Sequence, residues 1–174
     1  MNEEQLTVTA NVSAPLKTKP MPTGGPEGVV VHAMGEFVRG VWAPYSLEVQ
    51  PHAYVTPSGV VVRQTPTNRH GVHAVGFSRH LGVVVLVPGR FDHLPELYRR
   101  IAVDDWATPE QWITTVNLVR HWCRFYGLHI QSVRRHSDVD PENKRDPGEG
   151  FMWTSFQQAL SERLRPLRPD LVET

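Results

Sequence analysis

Apolar residues in this chain come in short, dense runs separated by stretches rich in proline, glycine and charge. Gly28-Val-Val-Val-His32 is a β-branched run of the kind that forms a buried strand. Ala53–Thr56 and Val60–Gln64 are further strand candidates, and the turn-forming TPSG at 56–59 between them predicts a hairpin. Leu81–Val87 reads LGVVVLV, apolar at successive positions, as expected of a central strand covered on both faces.

Helical spacing appears later in the chain. Thr108-Pro-Glu-Gln111 supplies an N-cap threonine, a proline at the first helical position and a glutamine three residues on, which together start a helix. Trp112, Val116, Val119, Cys123 and Tyr126 then recur near helical spacing until Gly127 ends the run. A last helix is predicted after Trp153, with Phe156, Leu160 and Leu164 on one stripe and Pro166 and Pro169 stopping it. FDHLPELYRRI at 91–101 predicts a shorter helix or turn. Strands followed by helices, with a hairpin inside, predict an α/β fold: a mixed central β-sheet flanked by helices.

Residues 13–28, SAPLKTKPMPTGGPEG, read as an extended arm or linker, and the alternating Leu6, Val8, Ala10 and Val12 before them as a short strand or a frayed tail. The expected organisation is an arm over 1–28 and a single domain over 29–174, a size at which one chain buries a real core. Lys plus Arg and Asp plus Glu number 18 each, so no overall field recommends nucleic acid or an anionic membrane as partner. Cys123 stands alone, which removes an intramolecular disulfide and a multi-cysteine zinc ribbon. At a core-facing helical position it reads as buried filler. No apolar run approaches the ~18 residues of a membrane span, and MNEEQLTVTANVSAPLKTKP does not read as a secretory signal, so synthesis in the cytoplasm is expected.

The chemistry gathers at 135–151, RHSDVDPENKRDPGEGF. Such a run is also what a solvated loop of turn formers looks like. Two features point further. His136 directly follows IQSVRR, a plausible strand end, and Asp146 precedes Pro147-Gly148, a turn that would aim its carboxylate back toward the start of the loop. His32 closes the first buried run, a place where a satisfied core histidine is equally at home. Two strand-end histidines and a loop carboxylate can nevertheless supply three zinc ligands and leave a fourth position for water, the pattern of a catalytic site.

Three segments, VVHAMGEF, HAVGFSRHLGVVVLVPG and HSDVDPENKRDPGEGFMW, resemble, in order from about Val29 to Leu164, the zinc-dependent N-acetylmuramoyl-L-alanine amidases, the fold shared by peptidoglycan recognition proteins, bacteriophage endolysins and anhydromuropeptide amidases. The resemblance implies zinc held by His32, His136 and Asp146, with Lys144 stabilising the oxyanion that forms on the amide carbonyl. It implies hydrolysis of the amide between N-acetylmuramic acid and L-alanine, with peptidoglycan or a muropeptide as partner. It also suggests that Trp153 packs the ligand loop onto the last helix. His70, His80 and His93 are placed in polar loops that touch substrate, and His121 and His129 are structural.

Two departures concern proton transfer. Where family members with an LGIE-type strand carry a glutamate base, this chain has Val84, and where others carry a tyrosine before the hairpin histidine it has Pro51. Tyr54, three residues on, falls by strand alternation on the opposite face. Glu36, His52 and His73 are left as candidates for the vacant role. The expected function is a cell-wall-degrading, endolysin-like amidase acting at the cell wall or periplasm; the alternatives are a catalytically impaired peptidoglycan-binding module of the same fold and a cytosolic muropeptide-recycling amidase. HExxH is absent, which argues against an unrelated zinc hydrolase.

Overall fold

The two longest apolar runs become neighbouring parallel strands. The computed structural model describes residues 18–34, 37–38, 41–42, 49–87 and 94–162. Its strands are β1 (Gly28–Met34), β2 (Phe37–Val38), β3 (Val41–Trp42), β4 (Ala53–Val55), β5 (Val61–Arg63), β6 (His80–Leu86) and β7 (Val133–Arg135), and its helices α1 (Leu94–Val103), α2 (Pro109–Tyr126), α3 (His136–Val139) and α4 (Trp153–Ser161). Five strands form one sheet in the order β5-β4-β6-β1-β7. Pairing is parallel except at the β4–β5 hairpin, so the sheet is mixed as expected, and LGVVVLV lies at its centre. The tail at Leu6–Val12, Glu36, His93, Leu164, Pro166 and Pro169 lie outside the described residues.

Strand alternation divides the sheet into two faces. Val29, Val31 and Ala33 of β1, Leu81, Val83 and Val85 of β6, and Ala53 and Val55 of β4 enter the main core. There they meet Val116, Val119, Trp122 and Cys123 of α2 and Phe156 and Leu160 of α4. The opposite face carries a smaller apolar cluster of Tyr54, Val84 and Leu86, with Met34 and Val62 against it. In-register pairing of His32 with Val84, and of Tyr54 with Val84, places all three on this second face. The strand-alternation expectation for Tyr54 is therefore corrected: the chain bends at His52 and the regular strand begins only at Ala53, so alternation cannot be counted from Pro51.

Helix α2 starts and stops as its sequence dictates. Thr108 caps Gln111, the Gln111 side chain returns to the Thr108 amide, and Gly127 closes the helix in the left-handed region at φ 65°. Gln111 also has a fold-wide role: wholly buried, its side-chain amide donates to the carbonyls of Val55 and Leu86, tying the helix start to the ends of β4 and β6. Cys123 is buried among these side chains, which pushes its thiol up to about 11. Residues 18–27, expected as part of an arm, run along the 66–70 loop: Met21 donates to the Asn68 carbonyl (2.7 Å), His70 to that of Lys19 (2.8 Å), and Arg69 reaches Thr18.

The polar run is anchored rather than adrift. Its first turn is the single helical turn α3, too short to show any periodicity in sequence, in which Asp138 accepts from the Arg135 amide (3.1 Å) and forks onto the Arg135 guanidinium. Further on, the Trp106 indole N–H donates to the Pro147 carbonyl (3.3 Å) and its ring stacks on Phe151. Trp153 opens α4, stacked on Phe156 and beneath the Arg135 guanidinium, which fits the expectation that it packs the ligand loop onto the helix. Gly148, at φ 70°, passes so close to α1 that a Cβ there would lie 1.7 Å from the Ile101 carbonyl oxygen. Gly148→Ala is expected to destabilise the protein by about 2–4 kcal/mol, through forced displacement of the loop and left-handed strain together. Urea unfolding beside wild type measures it.

Candidate metal centre

His32 sits near the C-terminal end of β1, on the face away from the helices. On its other side β1 pairs with β7, which stops at Arg135 in register with Val31, so the Ala33 amide meets a loop instead of a strand. That amide donates to Asp146 Oδ2 (3.2 Å). His136, the first residue after β7, places Nδ1 3.1 Å from both carboxylate oxygens of Asp146. His32 Nδ1 lies 3.7 Å from Asp146 Oδ2, and the His32 and His136 rings meet edge to face at 4.2 Å. One donor atom from each of His32, His136 and Asp146 falls within 4.8 Å of the others, a spacing that can hold one metal ion. The loop is closed at its neck by the Ser137 amide donating to the Asp146 carbonyl (2.9 Å).

Metal coordination needs unprotonated imidazoles. Burial, and then the neighbouring His73, His136 and Lys144, hold the pKa of His32 well below its ordinary 6.5, so this ring keeps a lone pair at neutral pH. Two imidazoles and a carboxylate are donors of the borderline kind that suit zinc, and three of them leave coordination positions open.

A cleft of about 330 Å³ opens at His136, with His73, Lys144 and Asp140 also on its wall and Val72 and Val75 among its apolar lining. Lys144 is thus at the cleft, and its amide donates to the Asp140 carbonyl (2.9 Å), which fixes the turn carrying it. A second cavity of about 310 Å³, lined by His52, Gln64, Leu118 and Trp122, touches none of the three candidate ligands.

The candidate proton carriers fall in different places. His52 Nδ1 accepts from the Gly82 amide and its Nε2–H donates to the Arg69 carbonyl, both at 2.9 Å, so each ring nitrogen has a backbone partner. Burial lowers its pKa to about 4. His73 lies against His32, Nδ1 to Nε2 at 3.0 Å, with its own Nε2 2.8 Å from the His80 carbonyl; burial lowers its pKa to about 3. Tyr54 is buried beside Val84 and its hydroxyl donates to the Val49 carbonyl (3.3 Å), with burial raising its pKa above the ordinary phenol range. His80, expected in a loop, instead opens β6. His121 stacks on Phe125 in α2, and His129 accepts from the Gln131 amide to cap a 3₁₀ turn, both structural positions as expected. Sequence reasoning missed the Ala33 amide and the contact between His32 and His73; 41 residues separate the two rings, and no local pattern signals their meeting.

The model of a family described as N-acetylmuramoyl-L-alanine amidase matches residues 22–149 of the chain. Among solved structures, the chain is similar to the endolysin N-acetylmuramoyl-L-alanine amidase LysCS from Clostridium intestinale (TM-score 0.62, 20% identity, covering 90% of this chain and 95% of that one). LysC from the same organism gives 0.61 at 21% identity over 90% and 97%, and an AmpD derivative gives 0.64 at 18% over 88% and 94%. At such identities the likeness is one of fold. No curated protein matches the chain in sequence.

The burial of His52 sets a pH dependence. Its folded pKa of about 4 lies below the unfolded value near 6.5, so the unfolded chain takes up the proton first. Stability from this group is complete above about pH 6.5 and is lost as pH falls toward 4, by up to about 3 kcal/mol. His52→Gln is expected to be less stable at neutral pH but to show a shallower loss between those limits. Urea unfolding of chelator-treated protein across that range checks the slope.

Proposed function

Because the chain belongs to the N-acetylmuramoyl-L-alanine amidase family, we propose that His32, His136 and Asp146 hold one zinc ion, with which the protein hydrolyses the bond between N-acetylmuramic acid and L-alanine in intact peptidoglycan. The observation that carries the metal reading is the convergence of the three donors within 4.8 Å, from strand end, helical turn and loop. When bound, such an ion supplies Lewis acidity, polarising a carbonyl and lowering the pKa of water from about 15.7 to roughly 7.

The chain's own groups do the rest. Lys144, at the cleft wall, donates to the amide oxygen as the carbon becomes tetrahedral, and the exposed Val72 and Val75 offer apolar surface to the substrate. Water adds to the carbonyl carbon, the C–N bond breaks, and the proton taken from water goes to the departing alanine nitrogen. That transfer needs a titratable carrier. Val84, the in-register neighbour of His32, is buried among apolar side chains and supplies none. His52 has both nitrogens engaged by backbone, and His73 is engaged by His32 and the His80 carbonyl. The role then falls to Glu36, two residues beyond the end of β1. The wall-lytic setting is supported by the endolysin amidases of the same fold; the AmpD derivative shares that fold too, so substrate size is the point to test.

Purified protein is expected to carry about one zinc per chain by elemental analysis, lost in His32→Ala and Asp146→Ala together with all hydrolysis. Lys144→Ala is expected to keep the metal and lose about 10²–10³ in kcat, and Glu36→Gln to keep the metal and lose about 10²–10⁴. New L-alanine N-termini, counted from intact sacculi and from soluble anhydromuropeptides, read both activity and setting. Faster release from the soluble fragments would assign the enzyme to muropeptide processing instead.

A further inference from the structure

Hydrogen-bond direction around the buried histidines can be worked out from one fixed point. A backbone carbonyl only accepts, so the 2.8 Å contact of His73 Nε2 with the His80 carbonyl puts a proton on His73 Nε2. A neutral His73 then offers a lone pair at Nδ1. His32 Nε2 stands 3.0 Å from that atom and must be the donor. A neutral His32 with its proton on Nε2 has its lone pair on Nδ1, which is the nitrogen 3.7 Å from Asp146 Oδ2.

We infer that His73 is a positioning residue that locks His32 into the Nε2–H tautomer and so presents Nδ1 to the metal. Ligand histidines are ordinarily held by a carboxylate or carbonyl acceptor at the second nitrogen. Here a second imidazole takes that place, itself oriented by the His80 carbonyl.

The surrounding chain is shaped for this ring. A Cβ at Gly82 would lie 2.5 Å from His73 Cγ and Cδ2, and one at Gly71 would lie 2.6 Å from His73 Cδ2 and His52 Cε1. Both positions must be bare for the ring to lie against β6. His52 repeats the same bonding pattern one step back: its Nε2–H donates to the Arg69 carbonyl and its Nδ1 accepts from the Gly82 amide, holding down the backbone on which His73 rests. The two histidines thus form a support behind the first ligand, with His73 also reaching the cleft wall.

The inference rests on the zinc reading, and its test separates the two. Full-length wild type, His73→Gln and His73→Phe are compared in metal-free form by long-range ¹H–¹⁵N correlation of the His32 ring, then titrated with zinc against a chromophoric chelator; melting of the metal-free proteins checks folding. Wild-type His32 is expected in the Nε2–H tautomer. His73→Phe is expected to bind zinc about 10–100-fold more weakly, while His73→Gln, which keeps both an acceptor and a donor, recovers most of the loss. An Nδ1–H tautomer in metal-free wild type overturns the inference, as does a folded His73→Phe that binds zinc as wild type does. Failure of the wild type to bind zinc sinks the metal reading instead, and the tautomer measurement, made without metal, still judges the role of His73.

Discussion

The carboxylate of Asp146 accepts the Ala33 amide of β1 while lying beside the imidazoles of His32 and His136. This contact joins a strand in the sheet to a loop more than a hundred residues later, and the site exists only where it is made. It is available because β7 is one of the shortest strands of the sheet: its pairing with β1 ends at Val31, which leaves the next outward amide of β1 unladdered. A charge-assisted hydrogen bond to that amide is worth about 1.5–3 kcal/mol. It also removes a buried donor that would otherwise be unsatisfied.

The sheet separates stability from chemistry by strand alternation alone. On one face, valines and leucines of β1, β4 and β6 meet α2 and α4 in the main core. On the other, the same strands contribute His32, Tyr54, Val84 and the bare Gly82, where apolar filling gives way to imidazoles packed edge to face. A one-residue slip of β1 would exchange these roles outright, carrying His32 into the helix-side core and a valine to the metal position. Full-length pairing of β1 with β6 over 28–34 and 80–86 guards against such a slip.

Much of this was legible in the sequence, and the parts that were not share a cause. The hairpin, the central strand and the capped helix follow from turn residues and apolar runs, signals confined to a few neighbouring positions. The three candidate ligands were legible because the chain writes two of them into one compact loop and ends a valine run with the third. What could not be read depended on tertiary placement. Tyr54 shares the face of His32 because a bend at His52 resets alternation. The α3 turn is shorter than any helical period. His80 looks like a loop residue until β6 is seen to begin with it, and the docking of residues 18–27 rests on backbone bonds to a loop that no local motif announces.

Val84 ties these threads together. As the in-register neighbour of His32 on β6, it occupies the sheet position nearest the first candidate ligand, and it lies in an apolar cluster with Tyr54 and Leu86. A carboxylate in that cluster would need its own buried partner to offset desolvation. Tyr54, whose hydroxyl is already given to the Val49 carbonyl, offers none. With valine there, the row of Tyr54, Val84 and His32 holds no carboxylate, and burial keeps the pKa of His32 well below its ordinary value. A proton carrier for the proposed reaction therefore has to come from outside this row of the sheet, where a side chain can change charge without the full cost of burial.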